Sequence, residues 1–408
     1  MDELIWPLRL PPQATCHPEV DLLLQAAQVR SKLEDADGAQ ALCQRIANWN
    51  GLVEMAQAHH ITPVLYRYLT TTCADAVPPK ILTALKIYYH HNLTYNFVLT
   101  SQLAELVECF EAHDIRVIPF KGPTLAALAY GELGLREFGD LDIFVPQQDV
   151  PEALRLMATL GYEPKRPLTP QRETAFLRSE NALVLKRSTD HTVVELHWRL
   201  APKYLGFHLS DDDLWQWRVS TSPGQLTLCT FTPEILLLFL CVHGAKHHWD
   251  TLMWVHDIAQ LVDVQPAIDW PLLLAQAETM GCRRLLWLSL KLACEDLGAV
   301  VPKDIWRSVQ ADPHLQPLAQ QIRTQWFYMT PLQPLDQLRF HLRIRERWRD
   351  RIWYGVHLAT TPSVADWSAQ PLPASLTLFY VVLRPIRLLR QYGTARLRYW
   401  LRRIRSAL

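Results

Sequence analysis

The sequence predicts an α+β fold in which a small mixed β-sheet is embedded in a mainly helical protein. Across most of the 408 residues, apolar side chains recur at the three- and four-residue spacing of helices. Between residues 115 and 198, several short segments instead alternate polar and apolar side chains, as strands do. Strands that alternate with helices over such a short region are typical of a small mixed sheet.

Composition limits the classes of function. The 41 lysines and arginines balance the 41 aspartates and glutamates, so no polyelectrolyte partner is indicated for the chain as a whole. The eight cysteines include no Cys-x-x-Cys pair, and we interpret them as reduced thiols of a cytoplasmic protein. We expect no signal peptide and no transmembrane segment, because no apolar run reaches the roughly 18 residues that a spanning helix needs.

The patterns divide the chain into four predicted regions. They are an N-terminal helical region (1–95), an α/β core (96–200), a helical substrate region (201–310) and a basic C-terminal helical segment rich in tryptophan and arginine (311–408). Between Lys80 and His113 the apolar spacing predicts one or two long helices. They lead into the first predicted strand of the core at Ile115–Phe120.

The stretch from Ile118 to Pro146 ends in a strand that carries Asp140 and Asp142. Because successive strand side chains point to opposite faces, both aspartates lie on the face opposite Leu141 and Ile143. Two carboxylates this close repel each other unless a cation lies between them. Mg²⁺ or Mn²⁺ suits such oxygen ligands and often shares them with substrate phosphates. The pattern therefore predicts a metal site on this strand.

A turn upstream of the acidic strand has the features of an anion site. Lys121 and Gly122 end an apolar run, and Pro123 suits the start of a helix that is predicted from about Thr124. Backbone N–H groups at the start of a helix bind phosphate, and the Lys121 ammonium adds positive charge there. Arg136 lies between this turn and the acidic strand and is a further candidate for phosphate oxygens.

A third carboxylate lies on another predicted strand. Thr192–Trp198 and Ala182–Lys186 form a predicted hairpin, and Glu195 shares one face of its strand with His197. If this strand pairs with the strand that carries Asp140, Glu195 joins the two aspartates. Such a cluster would hold two metal ions about 3.5–4 Å apart and serve in-line phosphoryl or nucleotidyl transfer.

These residues, taken in order, resemble a known family. Lys121-Gly122, Arg136, Asp140-Leu141-Asp142 and Glu195-Leu196-His197-Trp198 are similar to motifs of the uncharacterised bacterial nucleotidyltransferase proteins, a branch of the DNA polymerase β-like superfamily. The resemblance continues through His243-Gly244, Lys246-His247, Trp249 and Asp257 to Arg384-Pro385, and so covers most of the chain. It implies a nucleotidyltransferase core in which Asp140, Asp142 and Glu195 are the catalytic metal ligands. It also implies that Lys121, Gly122 and Arg136 bind the nucleotide.

The helical region after the core holds the candidate substrate-binding residues. They are His243, Lys246, His247, Trp249 and Asp257. His243 and His247 share a helix face if the helix continues through Gly244. A zinc site would need at least one more close ligand, and HExxH is absent, so we favour a polar substrate-facing cluster. We expect Lys246 to hold a phosphate and Trp249 to stack on a ring. Asp257 would orient a histidine or pair with Lys246. For each residue alone, a packed polar network between helices is an equally good interpretation, and for Trp254 we favour core packing.

The C-terminal segment is basic and has apolar residues at helical spacing. From Arg384 to Arg405 it contains many arginines and no acidic residue. An anionic membrane surface or a nucleic acid would bind such an amphipathic helix. We favour a helix docked on the protein's own core with a solvated arginine face. Only weak membrane contact and no strong nucleic-acid binding are therefore expected.

The predicted function is a Mg²⁺- or Mn²⁺-dependent nucleotidyltransferase that moves an NMP group from an NTP to an unidentified small molecule, peptide or protein. One alternative is phosphoryl transfer on the same fold. Another is a non-catalytic nucleotide-binding accessory protein of a biosynthetic pathway, against which the presence of all three carboxylates argues. A polymerase-like nucleic-acid enzyme is disfavoured, because the basic residues are concentrated at the C-terminus and not near the site.

Overall fold

The computed structural model describes residues 17–29, 36–165, 176–202, 205, 211–224, 226–328, 334–361, 366 and 379–388. Most of these residues are helical, and the strands fall between residues 118 and 231. The α+β class and the mainly helical character that the sequence predicts are therefore confirmed.

Helices make up the layers around the sheet. They are α1 (Pro18–Ala26), α2 (Ala36–Gln44), α3 (Trp49–Ala58), α4 (Thr62–Thr72), α5 (Pro79–Glu111), α6 (Gly122–Leu125), α7 (Val150–Thr159), α8 (Asp211–Gln216), α9 (Pro233–Lys246), α10 (Leu252–Val264), α11 (Trp270–Met280), α12 (Arg283–Leu297), α13 (Lys303–Ala311), α14 (Leu315–Tyr328), α15 (Pro334–Ile344), α16 (Trp348–Thr360) and α17 (Tyr380–Leu388). Among the described residues, no helix has both the length and the apolar character needed to cross a bilayer.

The long helix predicted between Lys80 and His113 is the single helix α5, which has 33 residues. The predicted region boundary at residue 95 lies inside this helix, so α5 joins the N-terminal helices to the core. Its inner face packs Leu99, Leu103 and Leu106 into the core below the sheet.

The main sheet has five strands in the order β1-β2-β5-β4-β3. They are β1 (Ile118–Pro119), β2 (Asp140–Phe144), β3 (Tyr162–Pro164), β4 (Ala182–Arg187) and β5 (Val193–His197). β2 and β5 run parallel, whereas the other neighbouring strands run antiparallel, so the sheet is mixed as predicted. The β4–β5 hairpin is also confirmed, whereas β1 is shorter than the predicted Ile115–Phe120.

A second, two-stranded sheet was not anticipated. β6 (Arg218–Thr221) and β7 (Leu228–Phe231) pair antiparallel in a region where the sequence shows no clear alternation. Phe231 of β7 packs against Phe120 and Phe144, and so closes one side of the main sheet.

The two faces of the main sheet belong to different apolar cores. Leu141 and Ile143 of β2 pack with Leu196 of β5 and with side chains of α5 and α7. Phe144 faces the opposite core, which also contains the buried helix α9. The alternation predicted for β2 is therefore confirmed. It places Asp140 and Asp142 on the face that α9 approaches.

Candidate active site

The acidic residues of β2 and β5 lie side by side because these strands pair in parallel. Asp142 is the register partner of Glu195, and Phe144 is the register partner of His197. The strand pairing on which the predicted carboxylate cluster depends is thus present. Asp142 is buried, whereas Asp140 and Glu195 are half-buried.

Two basic side chains contact Asp142. Lys121 Nζ lies 2.7 Å from Asp142 Oδ1, and His197 Nε2 lies 3.1 Å from the same oxygen. The same His197 nitrogen lies 3.3 Å from Glu195 Oε2, so the imidazole bridges the two carboxylates. His197 was not among the predicted site residues. The face that it shares with Glu195 was the signal that could have added it.

Ion pairing and burial shift the pKa values of this cluster in different directions. Burial disfavours the charge of Asp142, but Lys121 and His197 outweigh it and hold the Asp142 pKa below its usual range. The hydrogen bond to His197 lowers the pKa of Glu195. Burial opposes the charge of His197, but its hydrogen bonds to the two carboxylates raise its pKa. For Asp140, burial and the neighbouring Asp142 charge raise the pKa to about 6.

The turn before α6 holds Lys121 against the carboxylates. Gly122 has φ +50°, in the left-handed region that favours glycine, and a Cβ there would lie 3.4 Å from the Asp140 carbonyl oxygen. The helix predicted from about Thr124 begins at Gly122 as α6 and continues as a π-helical turn. Burial opposes the charge of Lys121, but the surrounding carboxylates, Asp142 foremost, raise its pKa.

Arg136 forms a two-point ion pair inside the protein. Its Nε and one terminal nitrogen donate to the two carboxylate oxygens of Asp257, each at 2.8 Å. Arg136 is 4% exposed and Asp257 is 0% exposed. The Tyr130 hydroxyl donates to the same carboxylate at 2.7 Å. Asp257 therefore pairs with Arg136, and not with Lys246 or a histidine as expected from the sequence, because α10 packs against the π-helical turn that carries Tyr130.

The acidic face opens into a cavity of about 600 Å³. Eight of the predicted site residues line it: Lys121, Arg136, Asp140, Asp142, Glu195, His243, Lys246 and His247. Helix α5 contributes Tyr88 and Tyr95 to the lining of this cavity. Gly122, Trp249 and Asp257 are not lining residues of this cavity. The structure thus brings together residues from three of the predicted regions.

Two histidines and a tryptophan form one wall of the cavity. The His243 and His247 ring centroids are 4.8 Å apart, and the His247 ring stacks on Trp254 at 5.1 Å with an interplanar angle of 20°. Burial and nearby cations lower the pKa of His243 well below its usual value and that of His247 to about 4. Both rings are therefore neutral at pH 7 and offer hydrogen-bond donors and acceptors in place of charge.

The aromatic side chain of this wall is Trp254, whereas Trp249 belongs to the core. Trp249 is 0% exposed and packs near the Phe340 ring, with its Nε1 so close to Gly244 that any side chain there would clash. His248 and Trp249 both have positive φ, and this turn after α9 directs Trp249 inward. Trp254 is half-buried: one part packs against the core, as expected, and the side chain also lines the cavity, which was not expected.

Lys246 at the end of α9 is the cation of this wall. Its pKa is lowered, chiefly by partial burial within the cavity and despite the nearby Glu195. Lys121 and Arg136 are paired with carboxylates. Within the described part of the chain, Lys246 forms no such ion pair. Although the cavity walls partly desolvate the ammonium, the residue as a whole is exposed to solvent. Compared with Lys121 and Arg136, Lys246 can therefore bind an added anion without giving up a carboxylate partner.

Residues 46–298 match the family model described as uncharacterised nucleotidyltransferase, which is more than half of the chain. The chain belongs to this nucleotidyltransferase family. Among curated proteins, no match is found.

Two solved structures are similar at low identity. The lincomycin-bound lincosamide antibiotic adenylyltransferase LnuA has 18% identity and a TM-score of 0.29, covering 40% of this chain and 96% of its own. An antigenic nucleotidyltransferase-like protein from Paracoccidioides brasiliensis has 14% identity and a TM-score of 0.31, covering 51% and 96%.

The donor set of this nucleotidyltransferase suits a divalent cation. One ligand atom from each of Asp142, Glu195 and His197 lies within 4.8 Å of the others. Carboxylate oxygens suit Mg²⁺ and Mn²⁺, and Asp140 lines the cavity beside this group. The carboxylates of Asp140, Asp142 and Glu195 repel one another unless a cation lies close to them. In this structure the ammonium of Lys121, in contact with Asp142, supplies that positive charge.

Proposed function

We propose that this nucleotidyltransferase transfers an NMP group from an NTP to an acceptor nucleophile, with Mg²⁺ or Mn²⁺ as cofactor. The observation that supports the proposal best is the parallel pairing of β2 with β5. This pairing sets Asp142 beside Glu195, with Asp140 at the cavity edge. In the transfer, the acceptor oxygen bonds to the α-phosphorus, the bond to the β-phosphate breaks, and pyrophosphate leaves.

The three carboxylates have separate roles in this proposal. Asp140 and Asp142 would hold the metal ions, and Glu195 would hold the catalytic metal and accept the proton of the acceptor hydroxyl. A divalent cation bound there would neutralise charge on the transferred phosphate and lower the pKa of the acceptor. His197 fixes the orientation of Asp142 and Glu195, because its Nε2 contacts both.

The triphosphate is proposed to bind along the Lys121–Gly122 turn and Arg136, as the family resemblance implies. The internal partners of Lys121 and Arg136 reduce the charge that both side chains offer to a nucleotide. Lys246 lines the same cavity from α9 and supplies a further ammonium for the terminal phosphates. Asp257 acts indirectly in this arrangement, since it positions the guanidinium of Arg136.

The acceptor is proposed to bind against the wall of α9 and α10. His243 and His247, both neutral, would hydrogen-bond the acceptor. Trp254 would stack on a ring or sugar, the role expected from the sequence for Trp249. The acceptor is a small molecule, a peptide or a protein. We further propose a cytoplasmic location, which is consistent with the free cysteines among the described residues.

A non-catalytic nucleotide-binding role is the second candidate. The contacts of Lys121 and His197 favour it, because they compensate Asp142 without a metal ion. In that case nucleotide binding would be independent of Mg²⁺. Phosphoryl transfer on the same fold would instead be recognised by the mass of the product.

Calorimetric titration of each NTP, with Mg²⁺ and with EDTA, tests the proposal. Asp140→Asn should weaken the metal-dependent binding at least about tenfold, because a metal ligand loses its charge. Glu163→Gln, an exposed carboxylate of β3, is the matched control and should bind like wild type. Equal binding in EDTA and in Asp140→Asn would support the accessory role. No binding of any NTP by folded protein would reject both.

A further inference from the structure

The C-terminal part of the chain carries charge of the opposite sign to the rest. Residues 334–408 contain 14 arginines, no lysine and four acidic residues, an excess of ten positive charges. Since the whole chain is balanced, residues 1–333 carry an equal excess of negative charge. Such asymmetry indicates a part that meets an anionic surface. The proposed catalytic site lies in the other part.

Helix α16, within the basic part, exposes an apolar stripe. Trp348, Ile352 and Val356 recur every four residues and are 74%, 57% and 51% exposed. This spacing places them on one helix face. Trp353, beside them, is 52% exposed. The stripe therefore presents two large aromatic side chains to solvent.

The exposure of this stripe is not a sign of a loosely packed helix. Tyr354 lies on the other side of α16 and is 4% exposed. The Arg345 guanidinium lies 3.9 Å from the centroid of the Tyr354 ring, and the His341 ring lies 5.2 Å from it. α16 is thus anchored through one side while its apolar stripe faces outward.

The neighbouring segment repeats this arrangement. Phe379, Val382 and Ile386 are 59%, 59% and 42% exposed and are spaced as one face of a helix. On the inner side, Arg384 is buried, and its Nε donates to the Leu358 carbonyl of α16 at 2.8 Å. Among the residues that the structure describes, these two packed helices therefore each present a stripe of large apolar side chains to solvent, which is unusual for a surface without a partner.

We propose that α16 and α17 bind the surface of an anionic lipid bilayer, with the tryptophans of α16 in the headgroup region. Tryptophan is enriched at membrane–water interfaces, because its ring is apolar and its N–H is polar. Arg349, next to Trp348 in the sequence, and Arg343 at the end of α15 are both exposed. Within the described part of the chain, Arg349 makes only a 3.6 Å surface contact with Asp350, so both guanidinium groups would meet lipid phosphates. Apolar burial and electrostatic attraction together are the two contributions that hold interfacial helices at anionic membranes.

Charge argues against two other partners for the apolar stripes of α16 and α17, namely a second copy of the chain and the segment 389–408. A second copy of the chain would bring an equal positive excess to a self-complementary contact, and like charges would repel. The segment after α17, residues 389–408, carries six arginines and no acidic residue, so docking it here would also bring like charges together. An anionic bilayer is the occupant that complements both the charge and the apolar stripe.

Vesicle flotation of the full-length protein tests this proposal. Vesicles of equal parts phosphatidylserine and phosphatidylcholine should carry the protein, and pure phosphatidylcholine vesicles should carry at least about tenfold less. About 1 M NaCl should reduce the binding strongly, because the Debye length falls to about 3 Å. Trp348→Ser/Ile352→Ser should bind the anionic vesicles at least about tenfold more weakly than wild type, through loss of apolar burial.

The matched control is Ile87→Ser/Phe97→Ser, which removes two apolar side chains of α5 that are 66% and 52% exposed. This variant should bind vesicles like wild type. Equal binding by both variants, or no binding by wild type, would overturn the proposal. If the α16 variant unfolds several degrees lower and binds vesicles as wild type does, the stripe is covered by another part of the chain. Loss of a dimer in that variant, without vesicle binding by wild type, would assign the face to a second copy.

Discussion

Arg136 and Asp257 are separated by 121 positions in the sequence and form a buried two-point ion pair, with both N···O distances 2.8 Å. Arg136 belongs to the segment that leads into β2, and Asp257 belongs to α10. The pair therefore fixes the segment before β2 to the helix whose Trp254 lines the cavity.

Removal of one member of this pair should destabilise the protein strongly. Asp257→Asn leaves the buried guanidinium without its counter-charge, and we expect the free energy of unfolding in urea to fall by about 3–5 kcal/mol. The double variant Arg136→Met/Asp257→Leu removes both charges and should lose less than Asp257→Asn alone. A double variant that is less stable than the single one would contradict this account.

A side chain at Gly122 should destabilise the protein, because its φ is +50°, in the left-handed region that favours glycine. Gly122→Ala is expected to cost about 1–2 kcal/mol of unfolding free energy through left-handed strain. Gly139→Ala is the control, since it has no positive φ and no atom within 4 Å of an added Cβ. That change should be neutral or slightly stabilising. Equal losses for both variants would show that the conformation of Gly122 is not the cause.

His59 should make stability depend on pH between about 6.5 and 4. Its ring is 2% exposed, its Nδ1 accepts the N–H of Leu252, and its Nε2 donates to the Trp326 carbonyl. Burial lowers the pKa of His59 to about 4 in the folded state. The unfolded state therefore binds a proton first as the pH falls. Stability present above pH 6.5 is lost toward pH 4, by about 3 kcal/mol for this residue.

Urea unfolding at pH 7 and pH 5 of wild type and His59→Gln measures this effect. Other buried histidines contribute to both proteins, so the informative quantity is the difference between them. His59→Gln should lose less stability between the two pH values than wild type. His90→Gln, on α5, should behave like wild type. An identical pH dependence in wild type and His59→Gln would contradict the assignment.

Substitutions of Trp249 and Trp254 should have different effects, because the first side chain lies in the core and the second lines the cavity. Trp249→Ala empties a fully buried position and is expected to lower the free energy of unfolding by about 3–5 kcal/mol. Trp254→Ala removes a half-buried side chain from the cavity wall and should cost less stability. On the proposed function Trp254 contacts the acceptor, so Trp254→Ala should bind the NTP like wild type in calorimetric titration. Weakened NTP binding by a folded Trp254→Ala variant would move this side chain from the acceptor site to the nucleotide site.

The strand residues of the site could be predicted because strand periodicity is a local property. Side chains alternate every residue, so Asp140 and Asp142 must share a face wherever the strand lies. The hairpin that carries Glu195 has a local signal too, and its pairing beside β2 is what the structure confirms. His197 was missed because its position on the same face does not reveal how far its ring reaches.

The partners of buried charges could not be predicted, because contacts far apart in the sequence decide them. Arg136 was interpreted as a phosphate ligand, and nothing in its neighbourhood indicates Asp257. The places of Trp249 and Trp254 also depend on the turn after α9, where His248 and Trp249 adopt positive φ without a glycine to signal it.

The sequence alone determined the α+β class, the acidic faces of two strands and the family, because these depend on local periodicity and on short motifs. Only the tertiary structure decided which cation meets which carboxylate and which tryptophan lines the cavity. It also showed that the basic C-terminal helices expose apolar stripes. These features depend on the packing of distant segments, where burial and charge neutralisation act together.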